Sequence, residues 1–483
     1  MTPASDPPQP LPRSARDWLM RAGDFLDRGY VENARLALRQ SDAMAPDEAP
    51  IYRGLAAGYR AADLEREAAV AEMAALAYEQ RSAPMLYNLA TSFLMTQRAA
   101  PAERWYRACL RMAPDMAAAH QNLASIMEMD GRRDYARHHR DQAYSRQSMF
   151  IDECDECDGR NSAAPTVLIL CTAATGNVPC DWLLPQARYK RIRWVMEYAT
   201  DAQFAALPEF DCIFNAIGDA DVSAASQNAV QRLLALTDKP LFNAPPAVEQ
   251  TSRAAMAKAL CNVPNVVAPQ ALRLAHAHGP SELAQALREQ GMQAPLLLRP
   301  PASHGGKGLL LIETDAELAQ ASCGPGWHVS SFHDTRSADG RWRKYRVIFV
   351  GGKPYPYHLA IAERWLVHYR SADMLSQQWK RDEELRFLNH PAAVLGWGAM
   401  QALRRVAKSV ALDFWGIDFT LLEDGRLLVF EANATMLVHR EEFHAELAYR
   451  NPFVQKILDA FAAHLTMRTA SQAKAPRALR KAG

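Results

Sequence analysis

The sequence predicts a multidomain chain: an all-α repeat solenoid, then an α/β region, then an α+β region. Three observations predict it. Alanines recur every 34 residues through the first third of the chain. From Pro165 onward, short β-rich runs alternate with helical spacings. Near the far end, two strand-like runs flank Asp424-Gly425 and carry acids that face one another. A length of 483 residues accommodates this, because roughly 100–200 residues per domain gives two to four domains.

The repeat comes first. Ala34, Ala68, Ala102 and Ala136 are spaced by 34, as are Ala22, Ala56, Ala90 and Ala124. Larger residues keep the register: Leu55, Leu89 and Leu123; Phe25, Tyr59, Phe93 and Met127; Trp18, Tyr52, Leu86 and His120. Small residues let two antiparallel helices approach, and large ones fill the groove between them. One such pair cannot bury its apolar face alone, so pairs stack. Over residues 13–148 the pattern resembles four units of the tetratricopeptide repeat family. The resemblance implies a surface that takes a protein or peptide. Packing against its own chain, or a dimer contact, is the plainer reading.

Charge and composition narrow the function classes. Lys+Arg is 55 and Asp+Glu is 54, a net +1, which argues against a nucleic-acid partner held by an overall positive field. No apolar run reaches the roughly 18 residues of a membrane span. Residues 1–12 lack an apolar signal segment and read as a disordered lead. Residues 466–483, with Lys474, Arg477, Arg480 and Lys481, read as a solvated basic tail. Eight cysteines do not make a disulfide framework, so a reducing, cytoplasmic location is expected. Residues 149–164 form a polar, acidic linker holding Cys154 and Cys157. Their acidic neighbours disfavour a reactive thiolate; half a metal site is the secondary reading.

From residue 165 to 245 the pattern is α/β. Thr166–Cys171 is an apolar run of strand length, the runs RIRWVMEY and FDCIFNAI follow, and Ser223–Asp238 has helical spacing. No G-x-G-x-x-G follows the first strand, so a dinucleotide fold is not supported. Residues 246–465 begin with a helix carrying Arg253 and Lys258. Pro295–Glu313 reads as strand, glycine loop, strand. Gly305, Gly306 and Gly308 let backbone N–H groups approach anionic oxygens, and Lys307 adds charge. It is not a Walker A loop, since no Ser or Thr follows Gly-Lys and a strand follows instead of a helix.

Trp415–Met436 is the most informative segment. It reads as two strands joined by a two-residue turn at Asp424-Gly425. Counting outward puts Glu423 opposite Arg426 and Asp418 opposite Glu431. Alternation puts Asn433 on the face of Glu431. Opposed carboxylates repel; a divalent cation resolves the conflict, and hard oxygen donors suit Mg²⁺.

Residues 165–465 resemble the ATP-grasp superfamily, nearest by motif to glutathione-synthetase-like and ribosomal-modification ligases. The resemblance implies an α/β pre-ATP-grasp subdomain at 165–245 and an α+β ATP-grasp fold at 246–465. It implies ATP and Mg²⁺, with Mn²⁺ as a substitute, the metal held by Asp418, Glu431 and Asn433. It places nucleotide phosphates on Arg253 (with Lys258 as the alternative), on Arg299, and on the loop Ser303, Gly305, Gly306, Lys307 and Gly308. It places the adenine hinge at Ser330, Ser331 and Phe332, where Ser331 replaces the family's Glu. Arg346 faces the acyl phosphate, and Lys344 stands where relatives carry Asp. Arg346, Arg299 and Lys307 are the expected catalytic cations; His358, Arg364 and His368 are expected on the substrate side. The activity implied is ligation of a carboxylate to an amine or thiol. A small-molecule kinase or an inactive nucleotide-binding module are the alternatives.

Overall fold

The computed structural model describes residues 12–44, 48–79, 81–96, 98–154, 165–301, 306, 308–442 and 444–473. The chain divides into two units, 1–147 and 148–483.

In the first unit the 34-residue period is a helix–turn–helix period. Its helices are α1 (Ala15–Asp27), α2 (Val31–Ala43), α3 (Ala49–Ala61), α4 (Glu65–Glu79), α5 (Ala83–Met95), α6 (Ala99–Met112), α7 (Ala117–Met129) and α8 (Arg133–Tyr144). Ala34, Ala68, Ala102 and Ala136 lie on the second helix of each pair and are 0% exposed. A methyl group is all that fits there, and the large columns fill the shared core around it. The turns repeat as faithfully. The N–H groups of Tyr30, Leu64, Arg98 and Arg132 donate to the carbonyls of Phe25, Tyr59, Phe93 and Met127 at 2.8–2.9 Å. This six-to-one bond closes a helix through a left-handed residue, here Gly29 (φ 75°), Asp63 (φ 58°) and Gly131 (φ 75°).

His120, fourth in the column of Trp18, is buried. Its Nδ1 lies 2.7 Å from Nδ1 of His139 and its Nε2 2.9 Å from the Pro114 carbonyl. Burial first, then His120 and His138, depress the His139 pKa from 6.5 to about 4. A depressed histidine leaves stability intact above its unfolded value and removes it as pH falls through the folded one. An NMR titration of the full chain should therefore place His139 near pH 4. Acid melting of the helical unit between 6.5 and 4 should flatten in His139→Gln.

Among the described residues, the second unit carries three sheets. The first contains β1 (Met149–Asp152), β2 (Val167–Cys171), β3 (Arg191–Val195), β4 (Cys212–Asn215) and β5 (Leu241–Phe242), in the order β1-β3-β2-β4-β5. All pairs are parallel except β1 with β3. β2 is apolar throughout because both its faces are covered: Val167 and Ile169 enter one core, Leu168 and Leu170 another. The expected linker at 149–164 is corrected at its start, since its first four residues are β1. Asp152 anchors that strand by accepting from Arg193 at 3.0 and 3.2 Å and pairing with Arg191 at 3.0 Å. Cys154 is disulfide-bonded, although the cysteine count reads as no disulfide framework; Cys157 lies outside the described residues.

The remaining strands are β6 (Val266–Val267), β7 (Ala271–Arg273), β8 (Leu296–Arg299), β9 (Leu310–Ile312), β10 (His328–Ser331), β11 (Trp342–Val350), β12 (Lys353–Ala362), β13 (Phe414–Leu421) and β14 (Leu427–Asn433). The antiparallel second sheet, β7-β10-β8-β9, packs on a small core of its own. The third runs β12-β11-β13-β14-β6.

The expected solvated tail is corrected at its start: a helix spans Asn451–Ala473, while Lys474, Arg477, Arg480 and Lys481 lie outside the described residues. Asp413 accounts for the helix, pairing with Arg468 at 2.5 Å and His464 Nε2 at 2.7 Å, and accepting from the Asn243 N–H at 2.9 Å. Among the described residues, no helix is long and apolar enough to cross a membrane.

Candidate active site

A cleft of about 460 Å³ in the second unit is lined from the second and third sheets. Its floor is the β13–β14 hairpin. Asp418 pairs with Glu431 and Gly416 with Asn433, as the sequence register requires. The route differs. Leu422 N–H donates to the Arg426 carbonyl at 2.9 Å, so the loop has three residues, Glu423 to Gly425, and Glu423 is not opposite Arg426. Gly425 takes φ 78°, the left-handed position of such loops. A bulge between Asp418 and Phe419, on the side of Phe430, then returns the register by one residue. Two one-residue offsets cancel.

Across β11, Arg346 pairs with Asp418 on one side and His358 of β12 on the other. His358, Arg346, Asp418 and Glu431 therefore form one polar row over four strands. Arg346 Nε donates to Asp418 Oδ1 at 2.6 Å and its Nη2 to Oδ2 at 2.9 Å. Lys344 Nζ lies 3.1 Å from the same Oδ2. Arg253 Nη2 donates to Glu431 Oε2 at 2.6 Å, and Arg299 Nη1 is 3.7 Å away. Asn433 Oδ1 accepts from the N–H and hydroxyl of Thr435, both at 2.6 Å.

These pairs set the protonation states. Burial pushes the Glu431 carboxyl up, but Arg253 and Arg299 overcome it and hold the group at about 2. Asp418, 1% exposed, is likewise penalised by burial yet held well below the carboxylate range by Arg346 and Lys344. Burial, then Arg346 and Arg450, lower the His358 pKa far below 6.5, so this ring is neutral. Burial and then Arg253 lower Arg299.

The cleft brings together Arg253, Arg299, Ser330, Ser331, Phe332, Arg346, His368, Asp418, Glu431, Asn433 and Gly306. Lys258 is exposed and does not line it. Two residues expected on the substrate side are not brought to the cleft. His358 is buried behind Arg346 and does not line the cleft; Arg364, just past the end of β12, is exposed to solvent. Gly308 is also off the cleft, and Ser303, His304, Gly305 and Lys307 lie outside the described residues.

Sequence reasoning missed three contributors. Lys344 registered only as a departure from a motif. His328 of β10 was not singled out, yet its Nε2 sits 2.9 Å from Asp221 Oδ2, and Arg273 reaches Asp221 Oδ1 at 3.4 Å. These bonds tie the loop after β4 to the second sheet, beside a cavity of about 50 Å³ shared by Asp219, Arg299 and Asn433. The Gly-Asp-Ala-Asp run after an apolar strand was the available signal. Trp365 meets Phe332 edge-on at 5.6 Å between centroids and lines the cleft.

Chemically, the site offers two carboxylates and an amide oxygen on neighbouring strands, a hard-donor set of the kind Mg²⁺ takes. Among the described residues, no cluster of three His, Cys, Asp or Glu accompanies them. Four cationic side chains surround the two acids, a surplus suited to phosphate oxygens.

No family model and no curated protein matches this chain. Solved structures do. The D-alanine-D-alanine ligase from Coxiella burnetii is 14% identical, covering 64% of this chain and 97% of its own, with TM-score 0.37. The RimK domain protein ATP-grasp from Sphaerobacter thermophilus is 14% identical over 61% and 99%, with TM-score 0.34. The ATP-grasp ligase PsnB, complexed with a phosphomimetic variant of its minimal precursor, Mg and ADP, is 13% identical over 62% and 98%, with TM-score 0.34. A carboxyaminoimidazole ribonucleotide synthase from Aspergillus clavatus, 12% identical over 62% of this chain and 77% of its own with TM-score 0.37, is similar too.

Proposed function

We propose that the second unit is an ADP-forming ATP-grasp ligase that joins a carboxylate to an amine or thiol. One observation carries the reading: Asp418 and Glu431 oppose each other across a hairpin and are ringed by Arg253, Arg299, Lys344 and Arg346. Opposed acids with surplus cations fit Mg²⁺ and a polyphosphate together. Asp418, Glu431 and Asn433 would hold Mg²⁺, which supplies neutralisation of phosphate charge. Arg253 and Arg299 would hold phosphates, joined by the sequence-expected loop with Lys307. The apolar wall of Met256, Leu297 and Leu428 beside Ser330–Phe332 suits adenine.

The chemistry is phosphoryl transfer by positioning. A substrate carboxylate oxygen attacks the γ-phosphorus; the bond to the bridging oxygen breaks and ADP leaves. The amine or thiol attacks the acyl carbon, phosphate leaves, and the nucleophile gives up its proton. Arg346 is fixed by two hydrogen bonds at the floor of the cleft, where it would offset charge on the acyl phosphate. Leu366 and Trp365 line the cleft above and would help exclude water. We read the first unit as tetratricopeptide repeats that recruit a peptide or protein.

The test is a thermal-shift titration with Mg·ATP. Ligand bound only to the native state adds about 2.7 kcal/mol at a hundredfold excess over Kd. The wild type should shift only when Mg²⁺ is present, and Glu431→Gln should lose most of that shift. ADP release that requires both a carboxylate and an amine or thiol identifies the ligase; release with a hydroxyl acceptor alone would make it a kinase. No shift in either protein would leave an inactive module.

A further inference from the structure

We infer that Lys344 keeps the divalent-cation position closed until phosphates arrive, so that this chain takes metal together with nucleotide and not before it. The inference rests on the nucleotide reading of the cleft.

It starts from the occupancy of the carboxylates. Asp418 is 1% exposed, and both its oxygens are engaged: Oδ1 by Arg346 at 2.6 Å, Oδ2 by Arg346 at 2.9 Å and Lys344 at 3.1 Å. Glu431 Oε2 is held by Arg253 at 2.6 Å. A dication brought to Asp418 meets two positive side chains already on its oxygens. Phosphate oxygens change this, because they give the cations a competing anionic partner.

The two cations on Asp418 are not equally free to leave. Arg346 lies between β12 and β13 and makes a two-point contact with Asp418. Lys344 makes a single contact through a flexible four-carbon stem. Its neighbour across β12 is Ala360, which offers no polar group. Glu431, the other acid within the influence of Lys344, is held by Arg253 at 2.6 Å. Lys344 is therefore the movable member: on Asp418 without nucleotide, on a phosphate oxygen with it. This also explains a Lys two residues before Arg346, on the same face of β11. It adds a removable charge beside the fixed one.

The experiment uses Mn²⁺ as the probe and its free-ion EPR signal as the readout, on the full chain. Wild type should deplete free Mn²⁺ below the level set by ATP or ADP without protein, and leave it unchanged when no nucleotide is present. Lys344→Met should bind Mn²⁺ alone at least about fivefold more tightly than wild type, the low end of a coupling between sites. Lys344→Gln, judged folded by circular dichroism, should behave as Met does if the Met variant is unstable. Equal Mn²⁺ binding by wild type with and without nucleotide overturns the inference and leaves the nucleotide reading standing. So does a Lys344→Met or Lys344→Gln variant whose Mn²⁺-only affinity is unchanged. If equilibrium dialysis finds no bound nucleotide under any condition, the nucleotide reading itself falls, and the inference with it.

Discussion

Arg346→Met should sharply lower turnover and destabilise the second unit together. The side chain donates both its short hydrogen bonds to Asp418, which is 1% exposed. Removing one partner of a buried pair leaves an uncompensated charge, typically about 3–5 kcal/mol. Lys344 remains 3.1 Å away, so the low end of that range, about 3 kcal/mol, is the expected loss in urea unfolding. Turnover should fall by roughly 10²–10³-fold, the usual effect of deleting one preorganised donor at a developing charge. Two companion variants separate the effects. Arg346→Met with Asp418→Asn removes the stranded charge, so stability should recover while turnover stays lost. Arg346→Lys keeps the charge without the two-point fork and should recover part of the stability. Full turnover in Arg346→Met would remove this residue from the proposed chemistry.

What was legible in the sequence was whatever repeats locally or is fixed by alternation. The alanine columns of the first unit predicted fully buried positions because a 34-residue period returns each residue to the same helix face. Asp418 and Glu431 were paired correctly, although the turn was not. A two-residue turn and a three-residue loop plus a bulge give the same pairing beyond Phe430, and periodicity cannot tell them apart. β1 escaped notice because four residues carry too little alternation to stand out from a linker; its evidence is Arg191 and Arg193, some 40 residues on. The tail helix escaped because Asp413, its anchor, lies 51 and 55 residues away from His464 and Arg468. His358 and Arg364 were grouped with His368 because they are near in sequence. A strand that ends at Ala362 sends these three to a buried row, to solvent and to the cleft. The same reason hid Asp221 and His328, whose meeting spans 107 residues.

Glu384→Ala carries the second large effect, and it tests what holds the segment over the cleft. Glu384 is 0% exposed. It accepts from the Leu359 N–H at 3.0 Å, from the Tyr369 hydroxyl at 2.9 Å and from the Tyr449 hydroxyl. Arg450, itself buried, lies 3.8 Å away over the rings of Tyr357 and Tyr369. One carboxylate thus fastens β12, the turn at Tyr369–Ser371 and the 3₁₀ turn at Ala445–Arg450. Alanine strands these donors and the Arg450 charge, so a loss of about 3–5 kcal/mol is expected in urea unfolding. Tyr369 directly follows His368, which lines the cleft with Trp365 and Leu366. Loosening it should therefore raise KM for nucleotide or substrate more than it lowers kcat. Glu384→Gln keeps the shape and isolates the charge. Burial raises the Glu384 pKa above 4.5 despite Arg450 and its hydroxyl partners. A carboxyl raised on folding gives stability that is present below its unfolded pKa and lost as pH rises through the folded one. The stability gap between wild type and Glu384→Gln should accordingly narrow as pH rises above 4.5. A gap that widens with pH would mean that Arg450 and the tyrosines outweigh burial, and that the carboxylate is held charged for its pairing.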